Sequence, residues 1–215
     1  MYMKFAIKKM GKVTKDEYRT PQLMKDSSEV DGHAEAVMDY VLSWCLRWSE
    51  TKYEDIRPIL NRYCRYMLLK LVEKNPCDNV IVEHVDVWKQ SQKIDLWVEA
   101  RLVVNGIEEL HAILIENKYY SPLHLSKDED GEYRNQLEVY KKKFVTHYAG
   151  MCAWHLHFAV ITCMERTDDN FVATYDEKEI GHLGFKLYSF DDMLNETMSI
   201  DSESDIFNEF WLTNW

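Results

Sequence analysis

The dipeptide Asn105-Gly106, set between two apolar runs, constrains this chain more than any other feature. Asn-Gly flanked by strand-like residues predicts a two-residue type I′ turn, because both central positions need positive φ and the turn's twist matches that of the flanking strands. Such a turn leaves no freedom of register. Val104 faces Ile107, Val103 faces Glu108, and counting back pair by pair brings Asp95 opposite Glu116. Both carboxylates then point to one face of the hairpin, with Lys93 and Lys118 one step further along it.

Two acids directly opposite each other on a sheet repel. A divalent cation relieves that repulsion, and a carboxylate pair suits Mg²⁺ or Mn²⁺. By strand periodicity Lys118 returns to the face of Glu116, where an ammonium can orient a water or stabilise an anionic oxygen. Two alternatives stay open at this level. A bulge would slip the register by one and separate the acids, and Lys93 paired with either acid would reduce the group to ordinary surface charge.

Hydrophobic periodicity organises the rest of the chain. A helix is predicted over 33–50, with Val37, Val41, Trp44, Cys45 and Trp48 on one stripe, and a second over 54–73 with Pro58 in its first turn. Strands are expected at 80–88, 93–104 and 108–119. The middle one alternates, placing Ile94, Leu96, Val98, Ala100, Leu102 and Val104 together, and the third carries the unbroken run 112–115 of a strand covered on both faces. A polar loop with an acidic tip, 121–132, leads to a helix over 133–148. A strand at 155–164, weaker ones at 171–173 and 185–188, and short helices at 191–198 and 203–211 complete the pattern. Residues 1–30 show no periodicity and are expected to wrap the surface. The fold class is α/β, a mixed sheet flanked by helices, in a single domain over 1–215.

At Asp95 in KIDLWV, followed by Ile115-Glu116-Asn117-Lys118, the chain resembles the D…(D/E)XK signature of the PD-(D/E)XK nuclease superfamily. The order of elements over about 33–165 is similar to that superfamily's restriction-endonuclease-like αβββαβ core. Gln136-Leu137-Glu138-Val139-Tyr140 resembles the QxxxY motif of its RecB-type branch and of related bacterial nuclease-like families. One departure is Ile94, where the motif has proline; that proline is not a ligand. The resemblance implies a Mg²⁺- or Mn²⁺-dependent hydrolase of phosphodiester bonds, with DNA as the substrate, acting in repair, defence or restriction. It implies that Asp95 and Glu116 hold the cation, joined by the carbonyl of Ile115 or Asn117, and that Lys118 positions the attacking water. Gln136 and Tyr140 share a helix face, and Gln136 is expected to meet a phosphate oxygen or Lys118; backbone bonding for Gln136 and simple packing for Tyr140 are the alternatives. Some relatives supply a further acid from the first helix, which makes Glu35 a candidate ligand against the alternative of a helix-dipole glutamate. Glu83 is a second candidate, against that of a solvated strand residue.

Charge pulls against this expectation. With 26 basic and 37 acidic residues the net charge is −11, unlike a protein that holds nucleic acid through a broad basic surface. The acidity is uneven. Seven acids and no Lys or Arg follow Phe190, an acidic helical segment over 190–215 that reads as a solvated tail. A catalytically silent nuclease-fold protein with an interaction or regulatory role is therefore the alternative, and a protein partner or homo-oligomer fits either reading. Five scattered cysteines without a CxxC pair read as reduced thiols. No span of membrane length and no apolar signal core in MYMKFAIKKM are found, so a cytoplasmic location is expected. Cys152, His155 and His157 lack the partner ligands of a zinc site. Lys141-Lys142-Lys143 cannot all face one way on a helix, and the tip 128–132 reads as a mobile loop or as a gate over the cleft.

Overall fold

A computed structural model describes residues 34–75, 79–127, 131–194 and 201–212. Its framework is a mixed five-stranded sheet in the order β1-β2-β3-β6-β7: β1 Val80–Ser91, β2 Ile94–Val104, β3 Ile107–Lys118, β6 Trp154–Thr162 and β7 Lys186–Tyr188. The first three run antiparallel, and β3/β6 and β6/β7 pair parallel. Helices α1 (Ala34–Trp48) and α2 (Pro58–Leu71) cover one face. Helix α3 (Gln136–His147) and the short α4 (Phe171–Thr174) and α5 (Glu177–His182) cover the other. Two apolar clusters result, one on each side of the sheet, and β3 is buried without interruption from His111 to Lys118.

The Asn105-Gly106 turn forms as expected, with φ of 51° and 85°. It sets the β2/β3 register from Val104↔Ile107 to Leu96↔Ile115 with no slip. The one irregularity in these strands lies between β1 and β2, where Glu83 is the extra, exposed residue of a bulge. A second tight turn carries no Gly, Pro or Asn to mark it in the sequence. Gln92 and Lys93 both take positive φ (54° and 72°), so β1 runs on to Ser91 before the chain reverses. This puts Lys93 in an exposed turn rather than on the face of Lys118, and Ile94 leaves its expected stripe to join the cluster under α3.

Other expectations are corrected. The buried stripe of α1 runs through Met38, Val41, Leu42, Cys45 and Leu46, while Trp44 and Trp48 sit half-buried at its edge, ring to ring at 6.0 Å. Tyr133–Asn135 is not helix but strand β5, paired with β4 (Leu125–Lys127); α3 begins only where Asn135 accepts from the Leu137 N–H at 3.0 Å. The acidic tip 128–130 between these strands lies outside the described residues, as do residues 1–33. Residues 171–173 are helical rather than extended. α5 is a further helix that periodicity does not mark, and Asp176 caps it by accepting from the N–H groups of Lys178 and Glu179.

The C-terminal segment is no solvated tail. α6 (Asp205–Phe207) and the π-helical turn that follows, Asn208–Leu212, bury Phe207, Phe210 and Trp211 in the α1/α2 cluster, with Trp211 stacked on Phe190 at 4.9 Å. Its acids serve the fold. Glu203 accepts from the Ile59 N–H at the start of α2, and Asp192 pairs with Arg166 at 2.8 Å. Apolar residues placed between acids had dictated docking over solvation, because burying three aromatics outweighs the exposure of a few carboxylates. Among the described residues no helix is long and apolar enough to cross a membrane, and no cysteine is in a disulfide.

Candidate active site

The end of the β2/β3 ladder carries the expected constellation. Continuing the register one step past Leu96↔Ile115 brings Asp95 beside Glu116, and the two carboxyls lie within hydrogen-bonding reach. Glu116 and Lys118 alternate onto the α3 face, buried to 3 % and 4 % exposure. The Lys118 ammonium donates to Glu116 Oε1 at 2.9 Å, and Gln136 Nε2 donates to the same oxygen. Glu116 Oε2 is buried with no hydrogen-bond donor. A buried carboxylate oxygen in this condition costs free energy that water would otherwise recover.

Electrostatics follow from that crowding. Burial, then the charge of Asp95, pushes the Glu116 carboxyl up to about 8, against the pull of Lys118. Asp95 is raised too, by burial, although the Asn117 N–H donates to its Oδ2 at 2.9 Å and Gln90 Nε2 to its Oδ1 at 2.9 Å. Burial would lower Lys118, but Glu116 beside it more than compensates and its pKa rises. Crowded together, the two carboxyls each hold a proton more tightly than they would in water, beside the Lys118 ammonium.

The helices lock this group from both sides. Gln136, at the start of α3, accepts at Oε1 from the His124 N–H (3.0 Å), while its own N–H donates to the His124 carbonyl (3.1 Å). It thus ties the loop after β3 to Glu116, and the partner expected for its amide, Lys118 or a phosphate, is instead the acid and the backbone. Tyr140 is half-buried in the α3 cluster and reaches Ser126 on β4; it feels the charges of Glu116 and Asp95 without bonding to either. On the opposite side Asn117 donates from Nδ2 to Asp39 Oδ1 at 2.7 Å. Asp39 is raised to about 6, chiefly by burial.

Three participants escaped the sequence: Asp39, Gln90 and Asn117. An acid among the apolar positions of a helix was the available signal for Asp39. For Asn117 the resemblance implies a carbonyl ligand alone, whereas its N–H and its side chain do the bonding. Nothing marked Gln90, whose placement depends on a positive φ of 54°.

Glu35 sits on α1 at the end of β3. Its Oε1 accepts from the Tyr119 N–H at 3.2 Å and from the Ser121 hydroxyl, and its charge is felt by Lys118 and Asp95. Glu83 is on the β1 bulge, away from this group. Among the described residues no three His, Cys, Asp or Glu side chains gather in a geometry that could hold a metal ion. Within this group Asp95 and Glu116 are the side chains that could contact a cation, and Glu116 Oε2 has no hydrogen-bond partner. Of the basic run, Lys141 turns inward to the Leu183 carbonyl (2.7 Å). His155 and His157 find His111 rather than Cys152: the His111 and His157 rings share a hydrogen bond of 3.0 Å and His155 stacks on His111 at 5.1 Å. No family model matches the chain, and no curated protein or solved structure matches it.

Proposed function

We propose that the protein is a metal-dependent nuclease that hydrolyses phosphodiester bonds in DNA, with the restriction-endonuclease-like arrangement suggested by its motifs. One observation carries the reading: the half-buried carboxyl of Asp95 beside the buried one of Glu116, with one Glu116 oxygen lacking any donor and a lysine two residues on along the same strand. Asp95 and Glu116 would hold Mg²⁺ or Mn²⁺, which when bound supplies Lewis acidity toward the phosphate and a more acidic water. Lys118 presents an ammonium on the face of both acids, where it can hold a water or offset charge on a phosphate oxygen. Gln136 fixes Glu116 Oε1, Asn117 and Gln90 fix the two oxygens of Asp95, and this bonding presets the carboxylates before substrate arrives. Glu35 stands by as a further acid at the mouth of the group.

A second reading, a nuclease-like protein that no longer cuts, draws on the acidic net charge and on the absence of a third gathered ligand among the described residues. Incubation of the protein with circular and linear DNA in Mg²⁺ or Mn²⁺ separates the two. Cleavage abolished by Asp95→Ala and by Lys118→Ala is the expected result. Cleavage that survives both changes, or no cleavage by the unaltered protein, removes the nuclease reading.

A further inference from the structure

We propose that a groove beside the acidic pair is a subsite for one unstacked nucleobase, guanine being the best match; the inference rests on the nuclease reading for its biological meaning. The groove, of about 190 Å³, is lined by Trp88, Ser91, Gln92, Trp97, Glu99 and His147. Trp88 and Trp97 are direct partners in the β1/β2 ladder, so both rings rise from one face of the sheet. Their fates differ. Trp97 is buried, its indole N–H donating to the Tyr148 hydroxyl at 2.8 Å and its ring meeting His147 edge-on at 4.9 Å. Trp88 is left 44 % exposed. The fixed ring is a wall and the exposed one a platform.

Shape and charge select the occupant. Base–aromatic stacking needs a free π-face, which Trp88 offers and which paired bases inside a duplex cannot reach. The Glu99 carboxylate is held by the Tyr148 hydroxyl at 2.6 Å, which fills one of its acceptor positions and leaves the others. A fixed negative charge repels phosphate and accepts from N–H groups, so a base with adjacent donors on its Watson–Crick edge suits it best. Guanine, with N1–H and the 2-amino group side by side, has that edge. Asp95 lies two residues beyond Trp97 along β2, about 7 Å at the rise of an extended strand. A base seated in the groove would therefore hold the backbone of a single-stranded or frayed end near the acids. This offers the acidic protein a grip on its substrate that does not depend on a basic surface.

The test uses fluorescent single-stranded oligonucleotides ending in guanine or in hypoxanthine, which lacks only the 2-amino group, and the whole protein in EDTA so that nothing is cut. The guanine end should bind several-fold tighter than the hypoxanthine end. Trp88→Ala should weaken both by about tenfold or more, Trp88→Phe by much less, and Glu99→Gln should erase the difference between the two ends. Equal binding by Trp88→Ala and the unaltered protein overturns the groove, as does no measurable binding by either. Loss of the nuclease reading is separable: binding that depends on Trp88 without any cleavage in Mg²⁺ retains the groove, and cleavage indifferent to Trp88 retains the nuclease.

Discussion

Replacing Glu116 by Gln should make the protein more stable above neutral pH, although the residue is at the centre of the candidate site. Glu116 has a folded-state pKa of about 8 against an ordinary 4.5. An acid raised in this way gives up its proton first in the unfolded chain. The stability of the unaltered protein therefore falls as pH climbs from about 4.5 to about 8, and the loss is complete above that. At ~1.4 kcal/mol per unit the linkage amounts to at most roughly 5 kcal/mol. The amide keeps an acceptor for Lys118 and places an N–H₂ where Oε2 now lacks a donor, but it forfeits the ion pair with Lys118. A net gain of about 1–3 kcal/mol at pH 9 is expected, or roughly 2–12 °C in Tm for a chain of this size. No difference is expected near pH 4.5. Thermal melts of both proteins in EDTA at pH 5, 7 and 9 measure this. The same melts with millimolar Mn²⁺ should stabilise the unaltered protein, by about 1.4 kcal/mol at ten times Kd, and leave the variant unmoved. A variant that is less stable by the same amount at all three pH values would refute the reasoning. Glu116 would then be a satisfied partner of Lys118, with no repulsion for a cation to relieve.

Gln136→Leu removes a donor from Glu116 and the acceptor for the His124 N–H, so it should cost about 1–3 kcal/mol in denaturant unfolding and lower any DNA cleavage at least tenfold. Cleavage and stability both unchanged would mean that α3 does not set the site. His157 is lowered to about 4, first by burial and then by His111. The unfolded chain takes its proton first as pH drops below 6.5, so stability is lost between about 6.5 and 4, by roughly 1–2 kcal/mol once the partial exposure of the ring is allowed for. His157→Gln should flatten that part of the pH–stability curve; parallel curves for the two proteins would exonerate the imidazole. Trp211→Ala should cost about 3–5 kcal/mol, because the ring is buried against Phe190 and Phe207. A loss under 1 kcal/mol would show that the C-terminal segment undocks readily.

What could be read in the chain was whatever short-range chemistry determines. Asn105-Gly106 specified a turn, the turn specified a register, and the register put Asp95 beside Glu116 over ten pairs of residues. The run 112–115 announced a strand covered on both faces, and β3 is that strand. Pro58 lies in the first turn of α2, where its missing N–H goes unneeded. Each of these depends on neighbours in sequence or directly across a hairpin.

Only the tertiary structure decided the rest. Asp39 and Asn117 are far apart in the chain and meet because α1 packs across the end of β3. Gln90 reaches Asp95 through a turn that forms without glycine, held by the ladder on both sides. The acids after Phe190 suggest a tail in water, yet Phe207, Phe210 and Trp211 pack into the core cluster of α1 and α2, and area burial prevails over charge. Asp95 and Glu116 facing each other was thus a property of the hairpin, while the burial of Glu116, the raised pKa values of both and their supporting hydrogen bonds belong to the packing of two helices on opposite faces of one sheet. Register is local because a two-residue turn allows one pairing; burial is global because desolvation depends on everything that lies nearby.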